Sequence, residues 1–136
     1  MQTTQRMSRF YQQMGHSAHV ASADPHELIS LLLKQARSKL ALAVSATLNH
    51  DLATRAQSIH RVCAIIDALR LSLDSEAGGE IARNLEDLYD YLYRRLMQAS
   101  AMNDEQALHE ADRLLAILQE GWNGIAQQEE PALDAG

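Results

Sequence analysis

Apolar residues recur along this chain at steps of three and four, the spacing of a helix face and not of a strand. Leu28, Leu32, Ala36, Leu40 and Ala43 form one such line, and Ile29, Leu31, Leu33, Leu42 and Val44 widen it past an ordinary amphipathic stripe. Asp24-Pro25-His26-Glu27 reads as the start signal, with Asp at the N-cap, Pro at the first helical position and Glu at the third. The pattern predicts a helix over 25–48 that is buried on more than one side or exposes apolar surface. Asn49-His50-Asp51 interrupts it, and Asp51 can cap a second helix over 52–73 carrying Leu52, Ala56, Ile59, Cys63, Ile66 and Leu69 or Leu73 on one face.

After Gly78-Gly79, where two glycines relax the backbone, Ile81, Leu85, Leu88, Leu92, Leu96 and Ala99 define a third helix over 79–101. Tyr89, Tyr91 and Tyr93 alternate in that stretch like residues of a strand. Helical spacing resolves the conflict: Tyr89 and Tyr93 fall on one flank of the leucine line and Tyr91 on the other, beside Arg95, so phenols border an apolar front on both sides. Asn103 with Gln106 three residues on reads as a capping box for a last helix over 104–126, with Ala107, Ala111, Leu114, Leu118, Trp122 and Ile125 in line. Four helices of roughly 20 residues, each about 30 Å long, joined by short connections, predict an all-α antiparallel four-helix bundle spanning 23–127.

The ends differ from the middle. Residues 1 to 22 are rich in Gln, Ser, Thr and His and cannot form a core alone. Met7, Tyr11 and Met14 nevertheless fall at i, i+4 and i+7, so a partly flexible, extended or short-helical segment is expected whose one or two helical turns lay an apolar face on something larger. From 128 to 136 the sequence suggests a disordered, acidic, solvated tail.

Composition narrows the function. A chain of 136 residues, 46% hydrophobic, supports one core. A net charge of −6 disfavours nucleic acid, whose non-specific binding relies on basic surface. No apolar run reaches the length of a membrane span and residues 1 to 20 carry no signal-peptide core, so the cytosol is the default; lone Cys63, amid apolar neighbours, fits a reducing compartment.

Chemistry has no visible carrier. The Glu-x-x-His pairs of a di-iron bundle are absent, and so are a haem motif, a phosphate-cradling glycine loop and a Gly-x-Ser-x-Gly elbow. No catalytic residue, metal ligand or cofactor is expected. His16 and His19 lie in the polar leader, while His26, His50, His60 and His109 are dispersed and read as surface or cap residues. His60 alone suggests an alternative, a histidine phosphotransfer bundle, since an exposed helical His is the working part of such domains. Ala64 supplies the small residue that follows a turn later, but the customary lysine is missing.

The chain resembles the flagellar export chaperone FliS family from Tyr11 to about Ile125. The resemblance is carried by Tyr11, Ala23-Asp24-Pro25-His26-Glu27-Leu28-Ile29, Ile65-Ile66-Asp67, Gly78-Gly79-Glu80-Ile81-Ala82-Arg83-Asn84-Leu85, Leu88-Tyr89-Asp90-Tyr91-Leu92, Arg94-Arg95-Leu96, Gln98-Ala99 and Asn103-Asp104. It implies a cytosolic chaperone that binds the C-terminal segment of flagellin in a hydrophobic groove, prevents premature polymerisation and delivers it to the flagellar type III export gate. It also implies that the leader caps part of that groove, with Phe10 and Tyr11 as anchors.

One departure from the family pattern is Leu33-Lys34-Gln35, where an aromatic-Asp-Gly run is customary. The surplus of leucine on the first and third helices nominates the groove: Leu28, Leu31 and Leu32 on one, Ile81, Leu85, Leu88, Tyr89, Leu92 and Tyr93 on the other. Which of these are interior and which line the groove stays open in the sequence, as does self-association of free chains through it.

Overall fold

The computed structural model describes residues 25–73 and 75–135, with side chains at 75–77 and beyond Ile125 outside the described set. The leader with Phe10 and Tyr11 lies outside the described residues, and so do the side chains of the acidic tail expected from 128. Four helices follow in order: α1 Pro25–Leu48, α2 Leu52–Leu71, α3 Ser75–Met102 and α4 Glu105–Ala135. There is no strand among the described residues, and the fold is the all-α bundle expected.

Two of the three connections are built alike. At the end of α1, His50 N–H donates to the Thr47 carbonyl and Asp51 N–H to the Ala46 carbonyl, a Schellman closure with His50 in the left-handed region at φ 58°. Asp51 then caps α2, accepting from Thr54 N–H at 3.1 Å and from its hydroxyl at 2.7 Å. At the end of α3, Asp104 N–H donates to the Ala99 carbonyl with Asn103 at φ 54°, and Asp104 Oδ1 accepts from Ala107 N–H at 3.3 Å. The cap of α4 is therefore Asp104, not Asn103 as the Asn103/Gln106 spacing suggests. A two-residue link needs a left-handed position before its cap, and Asn tolerates that conformation.

The third connection depends on Gly79. Its φ of 54° and ψ of −123° lie where side chains with a Cβ do not go, and this kink separates the first turn of α3 from the long helix that follows.

The principal contacts run α1 to α2, α2 to α3, α3 to α4 and α4 to α1, so the helices close a ring in which α1 and α3 stand on one diagonal. Leu32, Leu33, Leu40, Ile59, Ile65, Ile66, Leu69, Leu92, Leu96, Leu108 and Leu115 fill the centre. Ala36, Ala43, Ala99, Ala107 and Ala111 are fully enclosed beside them. The core is not uniform along the bundle. On α4 the last fully buried residue among those described is Leu115, and on α3 only Ala82 is buried before Tyr89.

Two polar devices bind the ring. Arg55 is 4% exposed, and its guanidinium donates to Thr47 Oγ1 at 3.1 Å, to the Ser100 carbonyl at 3.3 Å and to the Ala99 carbonyl. A cation on α2 thereby satisfies carbonyls at the end of α3, where the helix dipole is negative, and reaches α1 as well. Across α1 and α4, Arg37 donates to Asp112 at 3.0 Å and to Gln119 Oε1 at 2.9 Å. No buried side-chain nitrogen or oxygen among the described residues lacks a partner.

Candidate functional site: an apolar furrow between α3 and α4

The α3/α4 pair is fastened at one end. Tyr91 donates its hydroxyl to Glu110 Oε1 at 2.6 Å, Arg95 Nε–H donates to the same oxygen at 2.9 Å, and Arg95 also approaches Asp104 at 3.6 Å. Both phenol and guanidinium stabilise the Glu110 carboxylate, which is held below the usual glutamate range chiefly by the Tyr91 bond and then by Arg95. The same carboxylate pushes the Tyr91 phenol up.

These contacts also identify the facing sides of the two helices. Since Tyr91 and Arg95 face α4, the residues at helical spacing before them, Leu88, Asn84 and Ile81, share that side of α3. Since Glu110 faces α3, Leu114, Ile117, Gly121 and Gly124 share that side of α4, with Ile125 adjoining. Antiparallel register then sets Leu88 opposite Leu114, Asn84 opposite Ile117, and Ile81 opposite the Gly121–Ile125 stretch.

Along those rungs the covering thins. Leu88 and Leu114 are half-buried and pack on the core, whereas Ile117 is 66% exposed, Ile81 72% and Ile125 46%. A Cβ built on Gly121 or Gly124 would meet nothing within 4 Å. The result is a furrow, floored by half-buried Leu85, Leu88, Leu114 and Leu118 and open toward the start of α3. Exposed isoleucines on two neighbouring helices, converging on one line, distinguish it from scattered surface apolar residues.

At the open end stands Trp122, half-buried. Its ring stacks on His26 with centroids 4.5 Å apart and planes 12° from parallel. Trp122 Nε1–H donates to the His26 carbonyl at 3.0 Å, and His26 Nε2–H donates to the Trp122 carbonyl at 3.1 Å. The point at which the leader enters α1 is thus tied to α4 beside the furrow.

The residues nominated from sequence divide into three groups. Ile81 and Leu88 line this furrow, with Leu85 at its base. Leu32, Tyr89 and Leu92 are enclosed in the core and offer no surface in this conformation. Burial alone pushes the Tyr89 phenol up to about 12. Leu28 and Leu31 are half-buried on α1, and Tyr93 is half-buried on the flank of α3 opposite Tyr91. No one groove gathers the whole set, because α1 and α3 are diagonal and turn their leucines toward a shared core.

The α4 wall escaped the sequence reading. Ile117 stands one position off the line through Leu114, Leu118 and Trp122, and that displacement, with glycines at 121 and 124, was the available signal.

Other candidate chemistry is dispersed. No three His, Cys, Asp or Glu side chains gather as a metal site among the described residues. His60 is exposed on α2. Cys63 is buried, its thiol pushed up to about 11 by burial and then by Asp67, so it is a protonated, unreactive hydrophobe. No helix among the described residues is long and apolar enough to cross a membrane.

A closed ring of four helices with an apolar furrow along two of them, and no metal cluster among the described residues, is a helical-bundle scaffold of the kind that offers helix faces for contact. The family model described as Flagellar protein FliS matches residues 7–129. The chain is 40% identical over 116 residues to the flagellar secretion chaperone FliSB of Pseudomonas aeruginosa, covering 85% of this chain and 92% of the relative. It is 41% identical over 117 residues to the flagellar secretion chaperone FliS of Salmonella typhimurium, covering 85% and 87%. With the FliS of Bacillus subtilis it shares 29% over 110 residues, 81% of each chain. The chain belongs to the FliS family of flagellar secretion chaperones.

Proposed function

We propose that this chaperone works in the bacterial cytosol, takes the C-terminal segment of flagellin into the α3/α4 furrow, holds it from polymerising and passes it to the flagellar export gate. The observation that supports the reading is the furrow itself: Ile81, Ile117 and Ile125 are exposed on the facing sides of two neighbouring helices, beside the half-buried Leu85, Leu88, Leu114 and Leu118. An amphipathic segment laid there removes two apolar surfaces from solvent at once, its own and the chaperone's. Ordering a disordered client costs a few kcal/mol, which a long apolar contact offsets.

Leu28, Leu31 and Tyr93, half-buried outside the furrow, extend the contact if the client continues around the bundle. The leader, with Phe10 and Tyr11 as anchors, competes for the same apolar surface before a client arrives. Free chains in high concentration can use it to self-associate.

Co-expression with cognate flagellin followed by size-exclusion chromatography tests the reading. A stoichiometric complex that forms with full-length flagellin and disappears when its C-terminal segment is deleted is expected. Flagellin and chaperone eluting separately would overturn it. Deleting residues 1 to 20 should leave the helical content intact and strengthen client binding; calorimetry showing unchanged affinity would remove the cap.

A further inference from the structure

We propose that the outer seam between α1 and α2, on the far side of the ring from the furrow, docks an acidic segment of another protein: a carboxylate seats between Lys39 and Arg61, and an apolar side chain rests on Leu42. Such docking is independent of what fills the furrow.

Charge is unevenly divided along the chain. From Leu28 to Ile66, five Lys and Arg residues stand against one carboxylate, Asp51, although the whole chain carries −6. Two of the five are used by the fold: Arg37 holds Asp112 and Gln119, and Arg55 holds carbonyls at the end of α3. Lys34, Lys39 and Arg61 have no hydrogen bond or ion pair among the described residues.

Two contacts set Lys39 and Arg61 face to face. Arg37 turns toward α4 to reach Asp112, so Lys39, two residues and about 200° further round, lies on the flank toward α2. Cys63 turns toward α3, where its sulfur meets that of Met97 at 4.0 Å, so Arg61, two residues earlier, lies on the flank toward α1. Thr47 against Arg55 fixes the antiparallel register, in which Lys39 stands within about 3 Å of Arg61 along the helix axes. Lys39 is half-buried and Arg61 exposed. Packed helix axes lie about 8–10 Å apart, so both head groups reach a single carboxylate between them.

Side by side without a counter-ion, the two cations repel each other, and no carboxylate of the bundle is placed to relieve it. Asp67 is bonded to Arg70 and acts on Cys63, which puts it on the α3 flank of α2. Asp51 caps α2 at one end of the seam, and Glu27 stands at the start of α1, more than three turns before Lys39. The rest of the lining is uncharged: Gln35 one turn before Lys39, with Gln57 and Ala64 one turn either side of Arg61. Leu42, one turn beyond Lys39 on the same flank, is 46% exposed.

That pairing of cations with an apolar side chain selects the occupant. A free phosphate would use the cations and leave Leu42 in water, and an extended polyanion would meet the negative charge of the other half of the bundle. A polypeptide with an apolar residue one turn from its carboxylate satisfies both features.

The test uses the full chain and a fluorescein-labelled helical peptide of about 16 residues, roughly four turns, with glutamates at i, i+4 and i+8 and leucines at i+3 and i+7. A second peptide has glutamine at every glutamate position. Fluorescence anisotropy should show the glutamate peptide binding at least about tenfold more tightly at physiological salt, with the preference shrinking as salt rises. Arg61→Glu should weaken the glutamate peptide at least about tenfold. The same substitution turns a repelling pair into an attracting one, so Tm should rise by about 1–3 °C. Arg83→Glu makes the same change of net charge on α3 and should leave peptide affinity within about twofold.

Equal affinity for the two peptides, an Arg61→Glu chain that binds as the parent does, or an Arg83→Glu chain that loses as much, overturns the proposal. Lost binding together with a fall in Tm also overturns it, since that is what a purely structural Arg61 would give. Displacement of the peptide by inorganic phosphate or a short DNA duplex, beyond that caused by chloride at equal ionic strength, would replace the acidic polypeptide with a free anion or nucleic acid.

Discussion

His26 and Trp122 hold each other by a reciprocal pair of hydrogen bonds, each donating a ring N–H to the other's backbone carbonyl, with the two rings stacked between. A carbonyl can only accept, so the imidazole carries a proton on Nε2 in this arrangement. The pair joins residues 96 positions apart in sequence and sets the first turn of α1 against α4. It is the counterpart, at the open end of the bundle, of the Arg55 clasp at the other.

Replacing His26 by Ala removes one donor and the stacking partner. A loss of about 1–2 kcal/mol in unfolding free energy is expected, from one partly buried hydrogen bond and one ring contact. Trp122 fluorescence should move toward that of a more hydrated indole. Urea denaturation followed at Trp122 measures both, and an unchanged midpoint with an unchanged spectrum would show the pair to be idle.

Arg55 should matter more. Arg55→Met keeps much of the side-chain volume but leaves the Ala99 and Ser100 carbonyls without their donor in a buried place. The expected loss is about 2–4 kcal/mol. Thermal melts read by circular dichroism check it; a change below about 0.5 kcal/mol, the range of an ordinary surface substitution, would mean water replaces the guanidinium freely.

The helices themselves were plain in the sequence, because burial in a bundle imposes a period near 3.6 and each helix advertises its buried side. The start at Pro25 and the cap at Asp51 were plain for a similar reason, since local chemistry alone decides them. What the sequence could not convey was which helices are neighbours. An abundance of leucine on the first and third helices suggests a shared groove, but in an up-and-down ring those two are diagonal, and the same leucines meet in the core. Leu32 and Leu92 illustrate this, both fully buried. Ile117 illustrates the converse: only with Glu110 seen bonded to Tyr91 does its side of α4 become the side toward α3.

The α1–α2 turn stores a small strain that can be relieved. His50 adopts φ 58°, a left-handed conformation unfavourable for a side chain with a Cβ, in the position helices most often give to glycine. His50→Gly should stabilise the fold by about 1 kcal/mol despite glycine's greater freedom in the unfolded chain. A lower melting temperature in the variant would contradict this.

Acid should loosen the fastened end of the furrow. Glu110 has a folded pKa below the ordinary glutamate value, so its clasp contributes fully above that ordinary value, about 4.3, and the contribution is lost as pH falls through the lower folded value. Carbon-detected NMR titration of the Glu110 carboxyl should therefore show a midpoint below that of an unstructured peptide. Tyr91→Phe removes the largest cause and should move the midpoint upward. An identical midpoint in parent and variant would exclude the phenol as the source.

The division between furrow and core is open to a paired substitution. Ile117→Asp places a charge where the native side chain is already 66% exposed, so the melting free energy should stay within about 1 kcal/mol of the parent. Leu92→Asp puts the same charge into a fully enclosed site with no polar partner for it, and should unfold the bundle, since a buried unpaired carboxylate costs several kcal/mol against a total of about 5–15 kcal/mol. If the furrow receives the client, Ile117→Asp remains fully helical by circular dichroism but no longer co-elutes with flagellin. Retained co-elution would place the client on another surface of the bundle, and loss of helix would mean that α4 needs Ile117 for its own packing.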